Sequence, residues 1–252
     1  MSVLEGAEPY SHQGGSTGVL LCHGFTGSPG SLRQWAEYLA EEGLTVSLPR
    51  LPGHGTTWQE MNRTRWEDWY AEVDRAFGEL RATTDDIFLM GLSMGACLAL
   101  RLAELHGDAV RGLVLVNPSV TADTKLFLLA PVMKMIVPSL KGVGSDIKKD
   151  GPTELAYDRT PTKAAATLPG LWKVTQRDLA KVSAPTLVFK SAEDHVVGPA
   201  SLEILRKQLP ASLLEVRELA NSYHVATMDN DSAAIFAGSL DFVRSHSHAG
   251  KE

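Results

Sequence analysis

At 252 residues with 44% hydrophobic content, the chain is long enough for one sizeable core built as a single domain. Its net charge of -6 excludes nucleic acid as an expected partner, because phosphate binding needs a basic patch and the clusters Lys148-Lys149 and Arg206-Lys207 are short. Two cysteines make no disulfide framework, no cluster has metal-ligand spacing, and no glycine-rich loop carries a phosphate-binding signature, so neither metal nor cofactor is expected.

Taken in chain order, strand-like runs near 17–22, 44–49, 87–91, 112–117, 185–190 and 213–217 alternate with helix-like runs near 30–42, 66–81, 94–105, 171–180, 199–208 and 232–245. Strands separated by helices imply parallel crossovers and a doubly wound α/β sheet. The first clear strand, Gly18-Val19-Leu20-Leu21-Cys22, leads into His23-Gly24-Phe25-Thr26-Gly27, where two glycines allow a sharp turn and the Phe25 N–H can face a cleft. Gly43 closes the first helix, and Thr64 reads as the cap of the second, with Glu67 three residues on. Gly53-His54-Gly55 reads as a structural turn.

The strand Ile87-Phe88-Leu89-Met90 runs straight into Gly91-Leu92-Ser93-Met94-Gly95, and a helical pattern follows from Ala96. Strand, Gly-x-Ser-x-Gly, then helix is the context of a nucleophile elbow, a turn so tight that the serine is strained and side chains at the two glycines would collide with their surroundings. Ser93 is therefore the candidate nucleophile, and the Met94 N–H, with that of Phe25, a candidate oxyanion donor.

A base and an orienting acid should follow in the order Ser, acid, His. The strand Pro185–Phe189 is followed by Ser191-Ala192-Glu193-Asp194-His195, and the strand Leu213–Val216 by Asn221-Ser222-Tyr223-His224. His224 is the candidate base and Asp194 the candidate acid, with Glu193 and Asp229 as rivals; Asp229 follows His224 and breaks the order. His23 precedes the elbow and suits shaping its own loop. His195 is next to the acid, and neighbours in an extended loop point in different directions. His106 ends a helix, where a cation suits the dipole. Cys22 and Cys97 read as small core residues.

From about Thr121 to Leu168 no clear strand is present. The segment opens with the very apolar Leu126–Met133 and continues with Met135-Ile136-Val137-Pro138. Such residues either line an acyl-chain tunnel or pack a lid onto the core. Glu154 lies in its second half. The tail Ser245–Glu252 reads as a disordered terminus whose two histidines are not a metal site.

The strings Leu20–Gly27, Leu51-Pro52-Gly53-His54-Gly55, the elbow, Gly144–Lys149, Glu193–Val197 and Asn221–Thr227 together make the chain resemble an α/β-hydrolase. More narrowly it resembles the small bacterial thermostable carboxylesterases and monoacylglycerol lipases. The resemblance spans roughly 17 to 243 and implies a hydrolase core at 1–120 and 169–252, with a cap inserted at 121–168. It favours Asp194 over both rivals. It implies hydrolysis of short-to-medium-chain carboxylic esters, monoacylglycerols first, through an acyl-enzyme on Ser93, His224 and Asp194. Glu154 would either accept hydrogen bonds from a glycerol head group, or be a solvated glutamate or one paired with Lys148 or Lys149. The alternatives are a carboxylesterase indifferent to glycerol, a C–C hydrolase or perhydrolase, and a non-catalytic ligand-binding homologue. The N-terminus, Met1–Gly6, has no signal-like pattern and no apolar run is long enough for a bilayer. A cytoplasmic enzyme without stable membrane insertion, monomeric or homodimeric, is expected.

Overall fold

The computed structural model describes residues 2–122, 137–142 and 145–248. A seven-stranded sheet runs β1 (Tyr10–His12), β2 (Thr17–Cys22), β3 (Thr45–Leu48), β4 (Asp86–Leu92), β5 (Gly112–Val116), then β8 (Thr186–Ser191) and β9 (Leu214–Leu219). Its spatial order is β1-β3-β2-β4-β5-β8-β9, and only β1 is antiparallel to its neighbour. The alternation of strand-like and helix-like runs is thus reproduced as a parallel sheet.

The central strands are apolar along their whole length because both faces are covered. Alternate side chains point opposite ways. Leu20, Leu89, Leu113, Leu115 and Val188 pack against α3 (Trp66–Arg81), α4 (Met94–His106) and α6 (Leu168–Asp178) through Trp69, Phe77, Leu98 and Leu171. Val19, Leu21, Phe88, Met90, Val114 and Leu187 pack against α1 (Arg33–Glu41) and α8 (Ser232–His246) through Trp35, Leu39, Ile235 and Phe242.

Several local expectations change. The helix after residue 65 is capped by Arg65, whose N–H donates to Asp68 Oδ2 at 2.9 Å. Thr64 instead donates its hydroxyl to the Met61 carbonyl and accepts from Trp69 Nε1. A short α2 (Trp58–Met61) precedes it, with Thr57 accepting the Glu60 N–H. Between β5 and β8, where no strand was expected, β6 (Ser139–Lys141) pairs antiparallel with β7 (Arg159–Pro161), ahead of α5 (Thr162–Ala165). Asn62 holds this hairpin to the core by donating to the Pro138 carbonyl and accepting from Lys163 N–H. The apolar stretch Leu126–Met133, with Met135 and Ile136, lies outside the described residues. The tail is ordered further than expected: α8 continues to His246, and His248 Nδ1 lies 2.6 Å from Asp86 Oδ1. Its last residues, 249–252, lie outside the described residues. No described helix is long and apolar enough to cross a membrane.

Candidate active site

All parallel strands end at one edge of the sheet, where ligands bind in open α/β folds. Ser93 follows β4 there with φ 57° and ψ −118°, a conformation that a non-glycine residue holds only when its surroundings impose it. A Cβ on Gly95 would lie 1.9 Å from the Cys22 carbonyl oxygen, and one on Gly91 2.5 Å from the Ala96 nitrogen. The elbow glycines are therefore demanded by close backbone approach. The Ser93 N–H donates to the Val116 carbonyl at 3.0 Å, and the Ser93 carbonyl accepts from Ala96 and Ser119.

The loop after β2 lies against the elbow, since a Cβ on Gly24 would sit 3.5 Å from Ser93 Cβ. Among the described residues neither the Phe25 nor the Met94 N–H has a hydrogen-bond acceptor. Two donors without a partner among the described residues thus lie on the two segments that meet here, one directly after Gly24 and one directly after Ser93. His23 shapes this loop from below: Nε2 accepts the Leu51 N–H at 3.1 Å, which leaves the proton on Nδ1 to donate to the Gly24 carbonyl at 3.0 Å. Burial pushes His23 down to about 4, and burial with His23 alongside lowers His54 as well. Both are neutral supports. The His54 turn has φ 76° at Gly53 and φ 63° at Gly55, and Tyr157 donates its hydroxyl to the Gly53 carbonyl at 2.7 Å.

His224 Nδ1 lies 3.0 Å from Asp194 Oδ1 and 3.2 Å from Oδ2, and both side chains are nearly inaccessible. Burial raises the Asp194 carboxyl, but His224, the Lys190 ammonium and the Val197 N–H outweigh it and hold the group well below the usual carboxylate range. The two rival acids are engaged elsewhere. Glu193 is exposed and 3.4 Å from His195. Asp229 is fully buried and accepts the N–H groups of Lys148, Lys149, Tyr223 and Asn230. It ties the inserted segment to the loop that carries His224.

Four residues here escaped the sequence reading. Asn117, the residue after β5, has φ 44° and is fully buried. Its amide donates to the His224 carbonyl and to Ser191 Oγ, and its oxygen accepts the Ser191 N–H. The signal available was an asparagine at a strand end, a residue that tolerates left-handed backbone. Asp146 accepts the His224 N–H at 3.0 Å and pairs with His195 Nδ1 at 2.8 Å, which raises His195. Ser191 Oγ donates to the Tyr223 carbonyl. Lys190 contacts Asp194 from behind.

Glu154 comes in from the inserted segment, held by its N–H on Ser145 Oγ at 3.0 Å. A Cβ on Gly27 would lie 2.7 Å from Glu154 Oε1, so this glycine makes room for the carboxylate beside the loop that follows β2. Lys148 pairs with Glu193, at 3.8 Å, and Glu154 makes no ion pair among the described residues. Burial raises the Glu154 carboxyl to about 7, opposed by the charge of nearby His224. Cys22 and Cys97 are free and buried, and burial pushes both thiols up to about 12, so they remain inert core groups. No group of His, Cys, Asp and Glu among the described residues could hold a metal.

A mostly parallel sheet with a strained serine at a strand–helix turn and a His–Asp pair on later strand ends defines an α/β-hydrolase. Within that class the chain belongs to the serine aminopeptidase S33 family, whose profile matches residues 16–231. It is 43% identical to the thermostable monoacylglycerol lipase of Bacillus sp. (strain H-257), with 97% of each chain covered. It is 24% identical to a carboxylesterase of Bacillus subtilis (strain 168), covering 94% of this chain and 96% of that one. Among solved structures, one from work on the metagenome-derived lipolytic enzymes LipS and LipT matches with a TM-score of 0.94 at 40% identity, over 97% of this chain and all of the other. The Paleococcus ferrophilus monoacylglycerol lipase shares the fold, with a TM-score of 0.77 at 22% identity over 95% of this chain and 100% of that one.

Proposed function

We propose that the chain hydrolyses carboxylic esters, monoacylglycerols foremost, through an acyl-enzyme on Ser93. The observation that carries this reading is the His224–Asp194 contact at 3.0 Å on the strand edge where the strained Ser93 sits. Ser93 Oγ attacks the ester carbonyl while His224 takes its proton. Asp194 holds the imidazole tautomer and stabilises the imidazolium. The Phe25 and Met94 N–H groups bind the oxyanion, and one such donor contributes about 2.7–4 kcal/mol in a well-studied protease. His224 returns the proton to the departing alcohol. Water then repeats the cycle, giving its proton to His224 and its oxygen to the acyl carbon, and Ser93 is regenerated as the acid leaves.

The monoacylglycerol preference is supported by the 43% identity to a monoacylglycerol lipase and by the position of Glu154 against Gly27. In this reading residues 121–168 form a cap over a core made of 1–120 and 169–252, and Glu154 reads the glycerol hydroxyls from the cap. The enzyme takes small ester substrates in the cytoplasm as a monomer or homodimer.

The test is kcat/KM for a chain-length series of monoacylglycerols beside the matching ethyl esters, with Ser93→Ala as blank. A clear glycerol preference is expected. Equal rates on both series would make the protein a general carboxylesterase that reads only the acyl chain. Absence of Ser93-dependent turnover on either would overturn ester hydrolysis.

A further inference from the structure

Lys190 is the second-last residue of β8, in a strand whose preceding members Leu187, Val188 and Phe189 are buried. Its side chain is only 14% exposed. An ammonium in that setting needs partners, since burying an unpaired charge is costly. It donates to Asp194 Oδ2 at 2.5 Å and to the Val197 carbonyl at 2.7 Å. The other Asp194 oxygen accepts the N–H groups of Val196 and Val197. The 190–197 loop is thus closed on itself around the carboxylate, which faces His224 on its remaining side.

We propose that Lys190 is a positioning residue for the reaction proposed above: it locks Asp194 toward His224 and, by sharing the carboxylate charge, extends activity to more acidic pH. The inference rests on the reading of Asp194 and His224 as the acid and base of that reaction.

Asp194 Oδ2 bridges the ammonium and the imidazole, so these two groups sit within about 6 Å of each other, close enough for strong coupling. A cation there opposes formation of a second cation on His224. Removing it leaves the full carboxylate charge acting on the imidazole, which favours the protonated, inactive form, so the acid limb of kcat/KM moves up in pH.

The remaining charges are the same with or without Lys190. Arg206 of α7 (Ala200–Gln208) and Glu218 of β9 line a cleft of about 470 Å³ behind the lysine and carry opposite signs. Glu154 faces His224 from the inserted segment. Asp146 accepts the His224 N–H while pairing with His195, which in turn meets Glu193. A change in the limb on substitution at 190 is therefore assignable to the lysine.

The experiment is the kcat/KM–pH profile of wild type, Lys190→Met, Lys190→Gln and Lys190→Arg. Loss of the charge in Met and Gln should raise the acid limb by about one pH unit, while Arg keeps it near wild type. Where turnover is too slow to trace, the pH dependence of Ser93 phosphonylation by a fluorophosphonate reads the same base. If Lys190→Met does not fold, the Gln and Arg pair decides. Coincident limbs for wild type and the neutral variants, or an Arg limb displaced as far as theirs, would overturn the proposal. Turnover that persists in Ser93→Ala would instead bring down the parent reading, so the two failures are separable.

Discussion

Asn117 Nδ2 donates to the carbonyl of His224 at 2.8 Å, so the residue just after β5 holds the loop carrying the candidate base. The same side chain exchanges two hydrogen bonds with Ser191 at the end of β8, and its own N–H donates to the Phe189 carbonyl. One buried amide thereby sets the spacing of three strand ends. The preceding residue, Val116, accepts the Ser93 N–H, which brings the elbow into the same set of contacts.

Asn117→Ala strands the Ser191 N–H and the His224 carbonyl in a buried place and puts alanine at φ 44°. Each orphaned group costs about 1–3 kcal/mol, and the left-handed backbone adds roughly 1. We predict a loss of about 3–7 kcal/mol in urea unfolding together with a fall in kcat. A variant as stable as wild type would show that these bonds do not hold the loop.

Ser93→Ala should abolish ester turnover, by roughly a million-fold on the precedent of a serine protease, with the thermal transition preserved. The elbow backbone gives a second expectation. At φ 57° and ψ −118° serine and alanine are both strained, whereas glycine is not. Ser93→Gly should therefore melt higher than Ser93→Ala, by the release of some part of about 1–3 kcal/mol. Equal melting temperatures would mean that the strain is not stored at this residue.

The main strands and helices were legible because buried parallel strands leave uninterrupted apolar runs between amphipathic helices. Edge and inserted strands leave no such trace. β1 is Tyr-Ser-His, half-buried at best, and the hairpin strands Ser-Leu-Lys and Arg-Thr-Pro owe their place to Asn62 and to Arg159 donating to Ser139 Oγ. The candidates Ser93, Asp194 and His224 stood out because a serine nucleophile, its acid and its base follow a fixed chain order on this fold. Asn117 and Asp146 act through partners 107 and 78 residues away, pairings visible only once the strand ends meet, and Lys190 acts through a partner 4 residues on that it reaches only because the 190–197 loop folds back on itself.

Glu154→Ala should lower kcat/KM for monoacylglycerols more than for the ethyl ester of equal chain length. Because burial raises this carboxyl to about 7, it is protonated below that pH in the free enzyme and ionised above it. An ionised carboxylate makes the stronger, charge-assisted bonds to hydroxyls. The glycerol-to-ethyl preference should therefore rise as pH passes upward through 7, and Glu154→Gln should flatten it. Equal losses on both substrates in the alanine variant, or a pH-independent preference in wild type, would remove Glu154 from head-group recognition.

His23 predicts the acid sensitivity of the fold. Its folded value of about 4 lies below the ordinary 6.5, chiefly because it is buried. Between those values the unfolded chain binds the extra proton and the folded chain does not. The contribution of His23 is therefore fully present above pH 6.5 and is lost as pH falls toward 4, a change of about 3 kcal/mol. Glu154 and Glu104, raised to about 7 and about 8 by burial, act with the opposite sign, since the folded state holds their protons over this range. Those two terms persist when only His23 is changed. His23→Asn, which cannot titrate, should thus show a shallower fall in unfolding free energy between pH 6.5 and 4 than wild type, measured by urea titration at each pH. The variant will be less stable at neutral pH, because the Leu51 N–H loses its acceptor at 3.1 Å, so the slope and not the absolute stability carries the comparison. Parallel slopes would mean that His23 is protonated in the folded protein well above pH 4, and that its tautomer does not hold the Phe25 loop.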